Sequence, residues 1–195
     1  MLDLRGKAEI LQAVAARVEL TELERAVMLE AAARFLTDAA ADGSPGPSMA
    51  ELPQTPTTAA GEAEAVLFSD GASRGNPGPA GIGAVLEAGD GRRLAEIAEY
   101  IGHTTNNVAE YRALLAGLVR ALALGVSRLE VRADSELMIK QLRGDYQVKN
   151  ARLLPLYREA RRLLGRFERV ELKHVRRELN TRADELANAG IDSAR

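Results

Sequence analysis

The sequence of 195 residues contains no cysteine. That absence removes disulfides, cysteine–zinc sites and thiol nucleophiles together. It has no tryptophan and only two histidines, which excludes a histidine-rich metal centre. No apolar run approaches the roughly 20 residues that span a bilayer, so no membrane association is expected. The opening residues, Met1-Leu2-Asp3-Leu4-Arg5-Gly6-Lys7, carry acid early and lack a continuous apolar core, which argues against a secretory signal. A cytoplasmic location is expected. What remains is 46% hydrophobic and 28% charged, a composition that suits one globular domain plus an appendage.

The net charge of −2 hides an asymmetry. Residues 1–62 sum to −5, whereas residues 128–182 sum to +7. The basic stretch reads as a surface that faces a polyanion.

Residues 1–38 read as a helical appendage. Ile10, Leu11, Val14 and Val18 recur at helical spacing, and Thr21-Glu22-Leu23-Glu24 is a capping box for a second helix. Two such helices cannot bury a core alone, so self-association or a protein partner through residues 1–38 is expected. Residues 39–61, with Pro45, Pro47, Pro53 and Pro56, read as a linker. Residues 62–195 form the second domain. Its pattern predicts a strand at Ala65–Phe68 ending at Asp70, then strands at Ile82–Leu86 and Arg92–Ile101 around a Gly89-Asp90-Gly91 turn. A long helix follows from Asn107 to Leu124, stopped by Gly125. After it come a strand at Leu129–Ala133, helices at Ser135–Leu142 and Ala151–Leu164, and a strand at Phe167–Val175. A last helix is capped by Asn180. The order is βββαβααβα, an α/β domain with a mixed five-stranded sheet flanked by helices.

Four acids stand out in this frame: Asp70, Glu110, Asp134 and Asp184. If the fourth strand runs parallel beside the first, Asp70 and Asp134 emerge side by side at the carboxyl ends of neighbouring strands. Glu110 and Asp184, each in the first turn of a helix, could complete the cluster. Clustered carboxylates repel and lose hydration, so they call for a hard divalent cation such as Mg²⁺.

The runs Asp70-Gly71-Ala72-Ser73-Arg74-Gly75-Asn76-Pro77-Gly78, Thr105-Asn106-Asn107-Val108-Ala109-Glu110, Ala133-Asp134-Ser135 and His174…Asn180…Ala183-Asp184 resemble ribonuclease H type 1. The resemblance covers about residues 64–192 and implies a ribonuclease H-like fold. It also implies hydrolysis of the RNA strand of RNA–DNA hybrids, with Asp70, Glu110, Asp134 and Asp184 as ligands of two Mg²⁺ ions and Mn²⁺ as a substitute. Arg74, Asn76, Asn106, Asn107 and Arg176 then match positions that contact the hybrid, and His174 matches an auxiliary histidine for proton transfer or product release. The stretch after Gln141 lacks the Lys- and Trp-rich protrusion of some relatives, which places the chain with the compact subgroup. Competing readings are a non-catalytic nucleic-acid-binding module on the same fold and a superfamily nuclease with another substrate. The presence of all four acids speaks against the first.

Overall fold

The computed structural model describes residues 64–194. The chain divides into two units between Gly61 and Glu62, and the described residues belong to the second. The expected appendage (1–38) and linker (39–61) lie outside them.

The elements run β1 (Glu64–Ser73), β2 (Gly78–Ala88), β3 (Arg93–Thr104), α1 (Asn106–Ala123), β4 (Arg128–Ala133), α2 (Glu136–Arg143), α3 (Leu154–Leu164), β5 (Arg169–His174) and α4 (Thr181–Asp192), with a 3₁₀ turn at Arg177–Leu179 before α4. The order βββαβααβα is the one the sequence predicts. One five-stranded sheet is ordered β3-β2-β1-β4-β5. The first three strands form an antiparallel meander, while β4 runs parallel to both β1 and β5.

Helix α1 packs on β1 and β2, with α3 against it, and α4 packs on β2 and β3. Strand β2 is therefore covered twice, and nearly every residue in it is buried. Glycines set both approaches. A Cβ on Gly117 of α1 would lie 2.4 Å from Leu67 Cδ1, so the fully buried Leu67 fills the place of that missing side chain. On the other side, a Cβ on Gly81 would lie 2.3 Å from the Ala187 carbonyl oxygen of α4. Missing side chains let helix backbone rest directly on strand backbone.

Some boundaries move. Strand β1 continues past Asp70 because its ladder with β2 runs on to Ser73 opposite Ala80. Helix α3 begins at Leu154 rather than Ala151, since residues 151–153 form turns and Pro155 takes the second helical position. There its missing N–H costs no helical hydrogen bond. Strand β5 is shorter than the expected Phe167–Val175. Gly125, at φ 75°, ends α1 as expected. Among the described residues no helix is long and apolar enough to cross a membrane.

Candidate active site

The parallel ladder of β1 and β4 closes at Phe68 opposite Arg132. Two residues further on, Asp70 and Asp134 follow on the neighbouring chains. Glu110 arrives from α1 on one side of the sheet because Gly71 has no side chain: a Cβ there would lie 2.1 Å from Ala109 C and Glu110 N. Asp184 arrives from the first turn of α4 on the other side, where a Cβ on Gly83 would lie 2.0 Å from the Ala183 carbonyl oxygen. Asp70 lies within β1 and Asp134 follows the last residue of β4. Asp184 sits in the first turn of α4 as expected, whereas Glu110, the fifth residue of α1, lies just beyond the first turn in which the sequence places it, because α1 already starts at Asn106.

Each carboxylate has its own tether. Asp70 Oδ1 accepts the Gly71 N–H at 2.9 Å. Glu110 accepts from Asn106 Nδ2 at 3.0 Å and from Ser135 Oγ at 2.5 Å. Asp134 Oδ1 accepts from Asn180 Nδ2 at 2.8 Å. Asp184 Oδ1 accepts from Arg177 Nη2 at 2.5 Å. Burial, then the fields of Asp134, Asp184 and Glu110, push the Asp70 carboxyl up to about 7. Burial also raises Glu110, against the lowering effect of its Ser135 hydrogen bond. The hydrogen bond to Asp184, helped by the fields of Asp70 and Asp134, stabilises the charged guanidinium of Arg177. A bound cation would offset the repulsion within such a group of acids.

The all-oxygen donor set suits a hard divalent cation. It is not preclosed, however. Among the described residues no three acidic or histidine side chains stand together as a ready metal shell.

The structure corrects the reading of Asn180. It occupies the N-cap position of α4 but makes no capping hydrogen bond. Its amide turns inward, only 2% exposed, and Nδ2 donates to the Ser69 carbonyl oxygen at 3.0 Å as well as to Asp134. Asn180 thus joins β1, β4 and α4 at the site. Only its fixed distance from Asp184 in the resembling motif hinted at more than capping. Ser135 is a second residue whose task the sequence did not reveal. It caps α2, accepting the Met138 N–H at 3.4 Å, while holding Glu110.

The expected substrate contacts spread around the cluster. Neither Asn106 nor Asn107 is the N-cap of α1; that position belongs to Thr105, whose side chain makes no cap bond. Asn76 Oδ1 instead accepts the Asn106 N–H at 3.3 Å across the loop, while Asn106 Nδ2 donates to Glu110. Arg74 pairs with Asp192 at 2.8 Å. Asn107, Arg176 and His174 are exposed, the last at the end of β5. The basic stretch is partly compensated from within. Arg132 and Lys173 pair with Glu130, Arg169 with Glu171, and Arg162 with Glu159. A concavity lined by Glu64, Arg128, Glu130, Arg132, Arg169 and Glu171 lies toward the amino-terminal ends of β1, β4 and β5, away from the four acids.

Residues 68–190, more than half of the chain, match the family described as reverse transcriptase-like. The chain belongs to this ribonuclease H-like family. A bifunctional protein of Mycobacterium tuberculosis is 48% identical over 116 residues, which are 59% of this chain and 32% of that one. Its N-terminal RNase H domain, solved as a fusion with maltose-binding protein, superposes with a TM-score of 0.65 over 66% of this chain and 99% of that one. A ribonuclease HI of Halobacterium salinarum is 47% identical over 115 residues, 59% of this chain and 58% of that protein. A ribonuclease H1 solved in complex with an RNA/DNA hybrid is 42% identical, with a TM-score of 0.63 over 67% of this chain and 98% of that one. The chain thus spans about a third of the mycobacterial relative and just over half of the halobacterial one.

Proposed function

We propose that the second domain is a metal-dependent endonuclease that hydrolyses the RNA strand of RNA–DNA hybrids. The observation that carries this reading is the convergence of Asp70, Glu110, Asp134 and Asp184, where burial and then mutual repulsion raise Asp70 to about 7. These four would hold two Mg²⁺ ions, with Mn²⁺ as a substitute. Bound divalent cations supply an activated water and charge stabilisation for the leaving 3′-oxygen. The chain's own residues do the rest. Asn106 and Ser135 orient Glu110, Asn180 orients Asp134, and His174 serves proton transfer or product release. Arg74, Asn76, Asn106, Asn107 and Arg176 take the hybrid, where RNA is told from DNA at its 2′-hydroxyls. A relative at 42% identity was solved with such a hybrid, which supports the substrate class.

The test is incubation of the full chain with a labelled hybrid, each single strand and both homoduplexes, with Mg²⁺ and with EDTA. Cleavage of the hybrid's RNA strand alone, dependent on Mg²⁺ and leaving 5′-phosphate and 3′-hydroxyl ends, is expected. A 2′,3′-cyclic phosphate would mean that the RNA's own 2′-hydroxyl attacks, and would refute the reading.

A further inference from the structure

The four tethers of the site differ in one respect: among the described donors on these carboxylates, three are neutral side chains, one is a backbone N–H, and Arg177 alone carries a charge. Arg177 opens the 3₁₀ turn that leads into α4, and its position is set by the site itself. The Asn180 N–H donates to the Arg177 carbonyl at 2.9 Å, and the Asp184 N–H donates to the Asn180 carbonyl at 3.1 Å. Asn180 in turn is anchored on Asp134 and Ser69. The backbone that carries the guanidinium is thus fastened to the cluster, while the guanidinium reaches Asp184 from the solvent side. Arg177 is 72% exposed and Asp184 is 23% exposed. A hydrogen-bonded guanidinium stands farther from a carboxylate oxygen than a coordinated Mg²⁺, which sits at about 2.1 Å, and it brings half the charge.

We propose that Arg177 is the resident counter-cation of the metal-free site, held on Asp184 and displaced from it when a divalent cation binds, so that Arg177 weakens and thereby sets the metal affinity. The inference rests on the four acids being a cation site, as proposed above. It makes Arg177 a positioning residue for Asp184.

The experiment is calorimetric titration of Mg²⁺, and separately Mn²⁺, into the full wild-type chain, Arg177→Gln and Arg177→Lys at fixed ionic strength, without nucleic acid. Thermal melts in EDTA and in saturating Mg²⁺ accompany it. Exposed ion pairs are weak, so loss of this competitor should tighten binding by about three- to fivefold in Arg177→Gln. Arg177→Lys, which keeps the charge, should stay near wild type. In EDTA Arg177→Gln should melt below wild type, and in Mg²⁺ the gap should close. Equal or weaker metal binding by Arg177→Gln overturns the proposal, as does a melting deficit that is the same with and without metal. If the wild type itself takes up neither ion, the metal reading of the site falls first, and that outcome is recognisable before any variant is compared.

Discussion

Asp70 stands opposite Gly83 in the antiparallel ladder of β1 and β2. The residue facing the central acid thus has no side chain, and the Ala183 carbonyl of α4 fills that space. Asp184 is the next residue along α4. The same device works one step along β1, where Gly71 admits the backbone of Ala109 and Glu110. Gly83→Ala and Gly71→Ala should each push a helix away and move one carboxylate out of place. Forced overpacking against rigid backbone costs about 1–3 kcal/mol or more. Urea unfolding should show that loss, and hybrid cleavage should fall further than stability explains. A Gly83→Ala protein with unchanged stability and turnover would show that α4 has room to spare.

The raised Asp70 predicts a pH effect in metal-free protein. Its carboxyl keeps its proton to about pH 7 when folded and loses it near the ordinary value of 3.8 when unfolded. Between those values the native state binds more protons, so this group's contribution is full below about pH 4 and is lost as pH rises to 7. A shift of this size corresponds to on the order of 4 kcal/mol. Asp70→Asn should therefore abolish cleavage and, in EDTA at pH 7.5, melt above wild type, with the difference shrinking toward pH 4. Melts of both proteins across that range check the sign.

Asn180→Ala should remove two hydrogen bonds and leave the buried Ser69 carbonyl without its donor. Such a loss costs about 1–3 kcal/mol. Turnover should fall more than hybrid affinity, because Asp134 loses its orientation while the nucleic-acid surface is untouched. Asn180→Asp should be worse, since it sets a second carboxylate beside Asp134. Steady-state kinetics and chemical denaturation of both variants test this ordering.

The convergence of Asp70 and Asp134 is legible because β4 pairing parallel with β1 follows from the long helix between them. Their detailed contacts are not. Asn180 looks like a cap because asparagine before a helix usually is one, and only tertiary packing decides that its amide turns toward Ser69 and Asp134. Arg177 reads as one more cation in a basic run, and its hold on Asp184 depends on a 3₁₀ turn that leaves no periodic signature. The end of β1 was misplaced for a similar reason. Its extension past Asp70 depends on a partner strand, not on its own composition.

Removal of residues 1–61 should leave cleavage chemistry intact, since none of the acids, Arg74, the asparagines or His174 lies there. Sedimentation of the full chain and of residues 62–195 tests the expected self-association through residues 1–38. Weaker hybrid affinity in the shortened, still monomeric chain would instead make the segment a substrate-binding element.

Because Glu110 and Asp184 descend from helices on opposite faces of the sheet, neither half of the domain holds a complete hydrolytic centre. A chain that has docked α1 but not α4 has only three of the acids in place. On the proposed reading, cleavage therefore requires both helices to be docked on the sheet. In a denaturant titration, cleavage should vanish at or before the first loss of helix.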